Sequence, residues 1–85
     1  MMGMNLEIIA PDQELFSGEV SLVQVPGSKG SFEILKDHAP IISTLDKGII
    51  KIVDPQGKNT FFEVDGGVIE AKNNKIIVLA ESAKK

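Results

Sequence analysis

Ile- and Val-rich runs no longer than a single β-strand, each closed by glycine, proline or asparagine, leave this chain little room for helix. The runs are Met4 to Ala10, Val20 to Val25, Ser31 to Leu35, Ile41 to Leu45, Ile49 to Val53, Thr60 to Val64, Val68 to Ala71 and Lys75 to Ala80. Between them stand Pro11-Asp12, Ser17-Gly18, Pro26-Gly27-Ser28-Lys29-Gly30, Asp37 to Pro40, Lys47-Gly48, Asp54-Pro55-Gln56-Gly57, Asp65-Gly66-Gly67 and Asn73-Asn74. These residue types supply the fixed or positive φ that tight turns require. Turn signals about every 8 to 12 residues, without a long stretch of helical periodicity, predict an all-β sandwich or barrel. Asn73-Asn74 and Pro55-Gln56-Gly57 read as hairpin turns. The tail from Ala80 to Lys85 contains good helix formers but is too short for a stable helix of its own, which needs about 12 residues or more.

A chain of 85 residues makes one domain, residues 1–85, because a chain this small buries only about 60% of its unfolded surface and cannot build two cores. Met1 to Gly3 are set aside as a cloning remnant. Apolar residues make up 42% and charged residues 25%, which is globular rather than disordered composition. The net charge is -3 and the nine lysines form no dense run, so nucleic acid is not expected as a partner. Without cysteine there is no disulfide, thiol nucleophile or thiolate metal site, as suits a reducing cytoplasm. The longest unbroken apolar run, Ile76 to Ala80, falls far short of the roughly 20 residues of a spanning helix, so no direct membrane insertion is expected.

Not every strand alternates cleanly. Met4, Leu6 and Ile8 share one face, yet Ile9 falls on the polar one, and Ile76-Ile77-Val78-Leu79 is apolar on both faces. In a small sandwich one face of each sheet should be wet, so such strands are either covered by loops and twist or reserved for a partner.

Catalytic constellations fail on inspection. His38 is the only imidazole, and no glycine-flanked serine elbow accompanies it for a nucleophilic triad; one histidine cannot build a metal centre. In Pro26-Gly27-Ser28-Lys29-Gly30-Ser31 the lysine precedes the second glycine and a strand follows, so a phosphate loop with its helix N-terminus is not formed. Carboxylate pairs such as Asp12/Glu14 and Glu63/Asp65 lie in solvent-type segments. No catalytic residue, cofactor or metal is expected, and these features alone describe a small all-β interaction domain.

Taken as a whole the chain resembles the N-terminal domain of the epsilon subunit of F-type ATP synthases, called delta in mitochondria. The resemblance is carried by Leu6-Glu7-Ile8-Ile9-Ala10-Pro11, Leu15-Phe16-Ser17-Gly18-Glu19-Val20, Val25 to Leu35, Asp37-His38-Ala39-Pro40-Ile41-Ile42, Leu45 with Gly48-Ile49-Ile50, Gly66-Gly67-Val68-Ile69-Glu70, and Val78-Leu79-Ala80-Glu81. It implies a flattened sandwich of two antiparallel sheets. It also implies a non-catalytic rotor role, in which the domain docks on the gamma subunit and rests on the c-subunit ring, peripheral to the cytoplasmic face of a bacterial inner membrane. Ring contacts implied are Ser28, Lys29, Gly30, Ser31, Glu33 and His38; many members carry an acid where this chain has Ser31. Gamma contacts implied are Ile42, Thr44, Leu45, Asp65, Gly66, Gly67 and Ile69. Most bacterial members continue into a helical hairpin. Here it is absent, residues 82–85 read as its stub in a cut or natively short chain, and no nucleotide binding is expected without it. The competing reading is a carbohydrate- or peptide-binding β-sandwich module, against which the lack of Trp and Tyr counts.

Overall fold

The computed structural model describes residues 3–84, with side chains through Ser82; Met1, Met2 and Lys85 lie outside the described residues. The strands are β1 (Met4–Ala10), β2 (Gln13–Val20), β3 (Leu22–Gly27), β4 (Gly30–Leu35), β5 (Ile41–Val53), β6 (Asn59–Lys72), β7 (Lys75–Ala80) and β8 (Ala83–Lys84). They hydrogen-bond in the order β2-β1-β7-β6-β5-β3-β4, with β8 beside β6. The all-β expectation holds. Its two antiparallel sheets are the two halves of one continuous ladder, in which β1 and β7 pair parallel. Turn signals report neighbours in sequence, whereas a parallel pair needs a long crossover, here nearly the whole chain.

The ladder closes on itself at a crease written into β5 and β6. Side chains alternate faces along a strand, so buried residues should keep one parity. In β5 the buried set moves from Leu45 to Ile50 and Ile52, and in β6 from Phe62 and Val64 to Ile69 and Ala71. Both strands therefore switch faces, and at the same place, since Leu45 pairs with Gly67 and Lys47 with Asp65. Gly66 and Gly67 have φ of +116° and +153°, values that side-chain-bearing residues rarely adopt. One layer consists of β4, β3, the second half of β5, the first half of β6, and β8. The other consists of β2, β1, β7, the second half of β6 and the first half of β5.

The two layers share a single core, with Val23, Val25, Ile34, Ile50, Ile52 and Phe62 of the first packed against Met4, Leu6, Ile8, Ile69, Ile76 and Val78 of the second. Phe16 of β2 meets Phe62 edge-on at a centroid distance of 6.2 Å, tying an edge of the second layer to the first. Among the described residues no polar side chain is buried, so nothing in this core carries a desolvation penalty.

The turns follow the sequence. Asn73 and Asn74 take φ of +54° and +62°, as a two-residue hairpin requires. At Asp54 the carboxylate accepts the N–H groups of Gln56 (2.9 Å) and Lys58 (2.8 Å). The tail is not helical: Asp65 N–H donates to Ser82 O (3.0 Å), Glu81 N–H to Gly66 O (3.0 Å), and β8 pairs with Glu63 and Val64. A segment too short to hold its own helix finds backbone partners on β6 instead.

Candidate functional site: an apolar outer face and the edge of β4

The second layer turns an unusually apolar face to solvent. Across its strands Ile9 lies beside Leu79, Leu79 beside Val68, and Val68 beside Thr44; in the next row come Glu7, Ile77, Glu70 and Ile42. Ile42 is 73% exposed, Leu79 53% and Val68 38%. Burying such side chains fully stabilises by about 1.5–3 kcal/mol each, so the face gains from a cover. The outer face of the first layer also carries apolar side chains: Leu35 lies beside Leu22 and Leu22 beside Val53, with Phe61 and Ile49 exposed nearby, while Glu33, Lys51 and Glu63 occupy the neighbouring rows. On each outer face an apolar row stands beside a row that carries carboxylates, Glu7 and Glu70 on the second layer and Glu33 and Glu63 on the first.

Of the residues implied as gamma contacts, Ile42 and Thr44 belong to this outer face, and Asp65 is exposed beside the crease with Gly66 and Gly67. Leu45 and Ile69 do not: they are 5% and 0% exposed and lie in the core. Each lies one residue from an outward-facing neighbour, Thr44 and Val68 respectively. Val68, Ile77, Leu79 and Ile9 are the members of the face that the resemblance missed; the two-sided apolarity of Ile76 to Leu79 and the stray Ile9 were their signal.

The residues implied as ring contacts are not gathered in one spot. Ser28, Lys29, Gly30 and Ser31 form the tip of the β3–β4 hairpin, Glu33 is mid-strand, and His38 sits in the turn beyond Leu35, whose carbonyl accepts its N–H (3.1 Å). They are strung along β4, which ends the strand order, so the structure arranges them as a side edge of the slab. Six extended residues span about 20 Å, which separates the hairpin tip from His38. The preceding residue is tied to the β6–β7 turn: Asp37 N–H donates to Asn74 Oδ1 (2.7 Å), and Asn74 Nδ2 donates to Asp37 Oδ1 (3.1 Å). His38 Nδ1 lies 2.7 Å from Ala39 O, a bond within its own turn.

The hairpin tip and the start of β5 flank an open groove of about 510 Å³ lined by residues 27–32 and Ile42, Ser43 and Thr44. Ser28 Oγ and Thr44 Oγ1 meet across it at 2.8 Å, and Ser28 N–H donates to Thr44 O (3.1 Å). Among the described residues no three His, Cys, Asp or Glu converge on a metal-sized point.

The profile of a family described as ATP synthase, Delta/Epsilon chain, beta-sandwich domain matches residues 3–85. The chain belongs to that family. This delta/epsilon domain is 39% identical to the ATP synthase epsilon chain of Caulobacter vibrioides over 84 residues, covering 98% of the chain and 95% of that relative. It is 40% identical to the ATP synthase epsilon chain of Pelotomaculum thermopropionicum, covering 94% of the chain but 59% of that relative. The resemblance read from the sequence is therefore correct. Among solved structures, the fold matches a chain of the Euglena gracilis mitochondrial ATP synthase (OSCP/F1/c-ring, rotational state 1). The TM-score is 0.92 at 17% identity, over 99% of this chain and 54% of that one. A chain of the Tetrahymena thermophila mitochondrial ATP synthase central stalk and c-ring matches at a TM-score of 0.80 and 16% identity, over 96% of this chain and 66% of that one. These likenesses establish the delta/epsilon sandwich fold.

Proposed function

We propose that this chain is a rotor subunit of an F-type ATP synthase, linking gamma to the ring of c subunits without catalysing a reaction itself. The observation that carries the reading is the apolar row Ile9, Leu79 and Val68 on the outer face of the second layer, with Ile77 and Ile42 in the next row, on a body with a single dry core. Its curated relatives bear the name ATP synthase epsilon chain, and one of its structural neighbours sits in a central stalk and c-ring assembly. In this reading gamma covers Ile9, Ile42, Thr44, Val68, Ile77 and Leu79, with Asp65, Gly66 and Gly67 at the margin. The β4 edge, from Ser28, Lys29, Gly30 and Ser31 through Glu33 to His38, rests on the ring. The subunit is then held at the membrane through the ring, on the cytoplasmic side in a bacterium. A close-packed interior is hardly compressible, so torque applied along one edge reaches the opposite face without being absorbed.

The hairpin tip supplies the test. Gly30 has φ of +124°, and a Cβ added there meets nothing within 4 Å. Gly30→Val therefore acts through backbone strain of about 1–3 kcal/mol, which reshapes the tip while sparing the core. ATP-driven proton pumping by the complex reconstituted with this variant is expected to fall severalfold, with ATP hydrolysis retained. Pumping at the parental rate with a demonstrably bound variant subunit counts against ring contact at the tip.

A further inference from the structure

A strand bonded on one side only, with few side chains in the core, opens more easily than the strands inside a sheet. β4 is such a strand. It ends the strand order, pairs with β3 alone, and gives the core only Ile34 and part of Phe32. Among the described residues, the polar bonds that reach from β4 and its two flanking turns to the second layer occur at two points, one beyond each end of the strand.

At the hairpin tip Ser28 is held to Thr44 through both its N–H and its hydroxyl. At the other end Asp37 and Asn74 hold one another reciprocally, backbone N–H to side-chain oxygen and side-chain amide to carboxylate. Asp37 and Asn74 take φ of +66° and +62°, a region that Asp and Asn enter more readily than other side-chain-bearing residues. The tie continues inward, because Asn74 O accepts the N–H of Asn5 at the start of β1 (2.9 Å). Ile34, Leu35 and His38 from one layer line a shared crevice with Ala71, Asn74 and Ile76 from the other. Each end of the edge is thus tied across the sandwich at, or one residue before, a side chain placed on the ring: Ser28 itself, and Asp37 before His38.

We propose that Asp37 and Asn74 are positioning residues for ring coupling: their reciprocal bond clips the far end of β4 to the second layer, as Ser28 and Thr44 clip the tip. The role rests on the ring-contact reading of this edge. Load taken up at His38 then passes through Asn74 and β1 into the layer whose outer face carries Ile9, Leu79 and Val68, instead of bending an edge strand. Neither residue needs to touch the ring. What the clip requires is a donor and an acceptor facing one another, and two carboxylates, which only accept, cannot supply that.

Asn74→Asp removes the amide donor and sets two carboxylates against each other. The exchanged pair Asp37→Asn with Asn74→Asp restores a donor and an acceptor with the parental net charge, and Asn73→Asp adds the same charge one residue away, at an exposed position. Three readouts are taken on each: hydrogen exchange at the His38 amide, which bonds to Leu35 O; affinity for purified gamma; and ATP-driven proton pumping relative to ATP hydrolysis in the reconstituted complex. Asn74→Asp is expected to speed His38 exchange severalfold, as loss of a hydrogen bond does, and to lower pumping severalfold with gamma affinity within about threefold of the parent. The exchanged pair is expected to recover both exchange protection and pumping, and Asn73→Asp to keep both. Parental pumping by Asn74→Asp despite fast His38 exchange overturns the positioning role and leaves ring contact standing. Recovery of protection without recovery of pumping in the exchanged pair, or an equal loss of pumping in Asn73→Asp, overturns it too. A parental chain that supports no pumping overturns the ring-contact reading together with it.

Discussion

Gly67→Ala is expected to lower the melting temperature by about 12–20 °C. Two costs add. At φ of +153° an alanine takes up backbone strain of about 1–3 kcal/mol. Its Cβ is also driven onto backbone, meeting Leu79 O and, at 3.0 Å, Ala80 Cα, and forced overpacking costs about 1–3 kcal/mol. Neither atom belongs to a side chain that can swing aside, so β7 has to part from β6 where the two layers join. Gly66→Ala is the internal comparison. At φ of +116° it too is strained, but its Cβ stands 3.4 Å from Leu45 O and 3.6 Å from Glu81 Oε1, ordinary or nearly ordinary contacts. Its loss should be about 1–2 kcal/mol. Thermal unfolding followed by circular dichroism separates the two variants, and a Gly67→Ala protein that melts within a few degrees of the parent contradicts the crease.

The second large effect concerns recognition. Val68→Asp combined with Leu79→Asp places two carboxylates side by side in the middle of the apolar outer face, since these residues pair across β6 and β7. Both positions are exposed, so the fold should lose little; like charges directly opposite on a sheet cost no more than about 1 kcal/mol. Under a partner the same charges are desolvated without a counterion. Central interface positions cost about 2 kcal/mol or more when disrupted, which makes the expected loss of gamma affinity about a hundredfold or greater. Ile49→Asp on the outer face of the first layer, equally exposed, should leave affinity within about threefold, as surface changes outside an interface do. Equal weakening by both variants in a titration calorimeter argues that the two faces are not distinguished as described.

Sequence reasoning went far here because local chemistry and global fold agree over most of the chain. The runs Met4 to Ala10 and Lys75 to Ala80 coincide with β1 and β7, and the asparagine and Pro-Gln-Gly turns carry the torsions their residues favour. Where reading and structure part, the reason is specific. Ser17-Gly18 reads as a turn but lies inside β2, an edge strand without clean alternation. Lys47-Gly48 and Asp65-Gly66-Gly67 read as turns ending separate strands, yet each lies within one long strand at the crease. A glycine that permits positive φ is equally suited to reversing a chain and to switching its face, and only the partner strand decides which.

That ambiguity propagates to the site. Counting by two along β5 or β6 fails on passing the crease, so Leu45 and Ile69 could not be told from their outward neighbours Thr44 and Val68. The spread of the β4 residues was likewise hidden: Lys29 and His38 are close in sequence, but a fully extended strand stands between them. What was visible early was the excess of apolar residues on β7 and at Ile9, which core packing did not need.

The central claim is that a chemically inert slab touches two neighbours at once. Its most direct measurement is co-sedimentation of the purified chain with gamma and with detergent-solubilised c-ring, separately and together. The account predicts that the chain binds gamma alone and bridges gamma to the ring when all three are mixed. A chain that binds neither, or that binds the ring through the same outer face that Val68→Asp and Leu79→Asp disrupt, contradicts it.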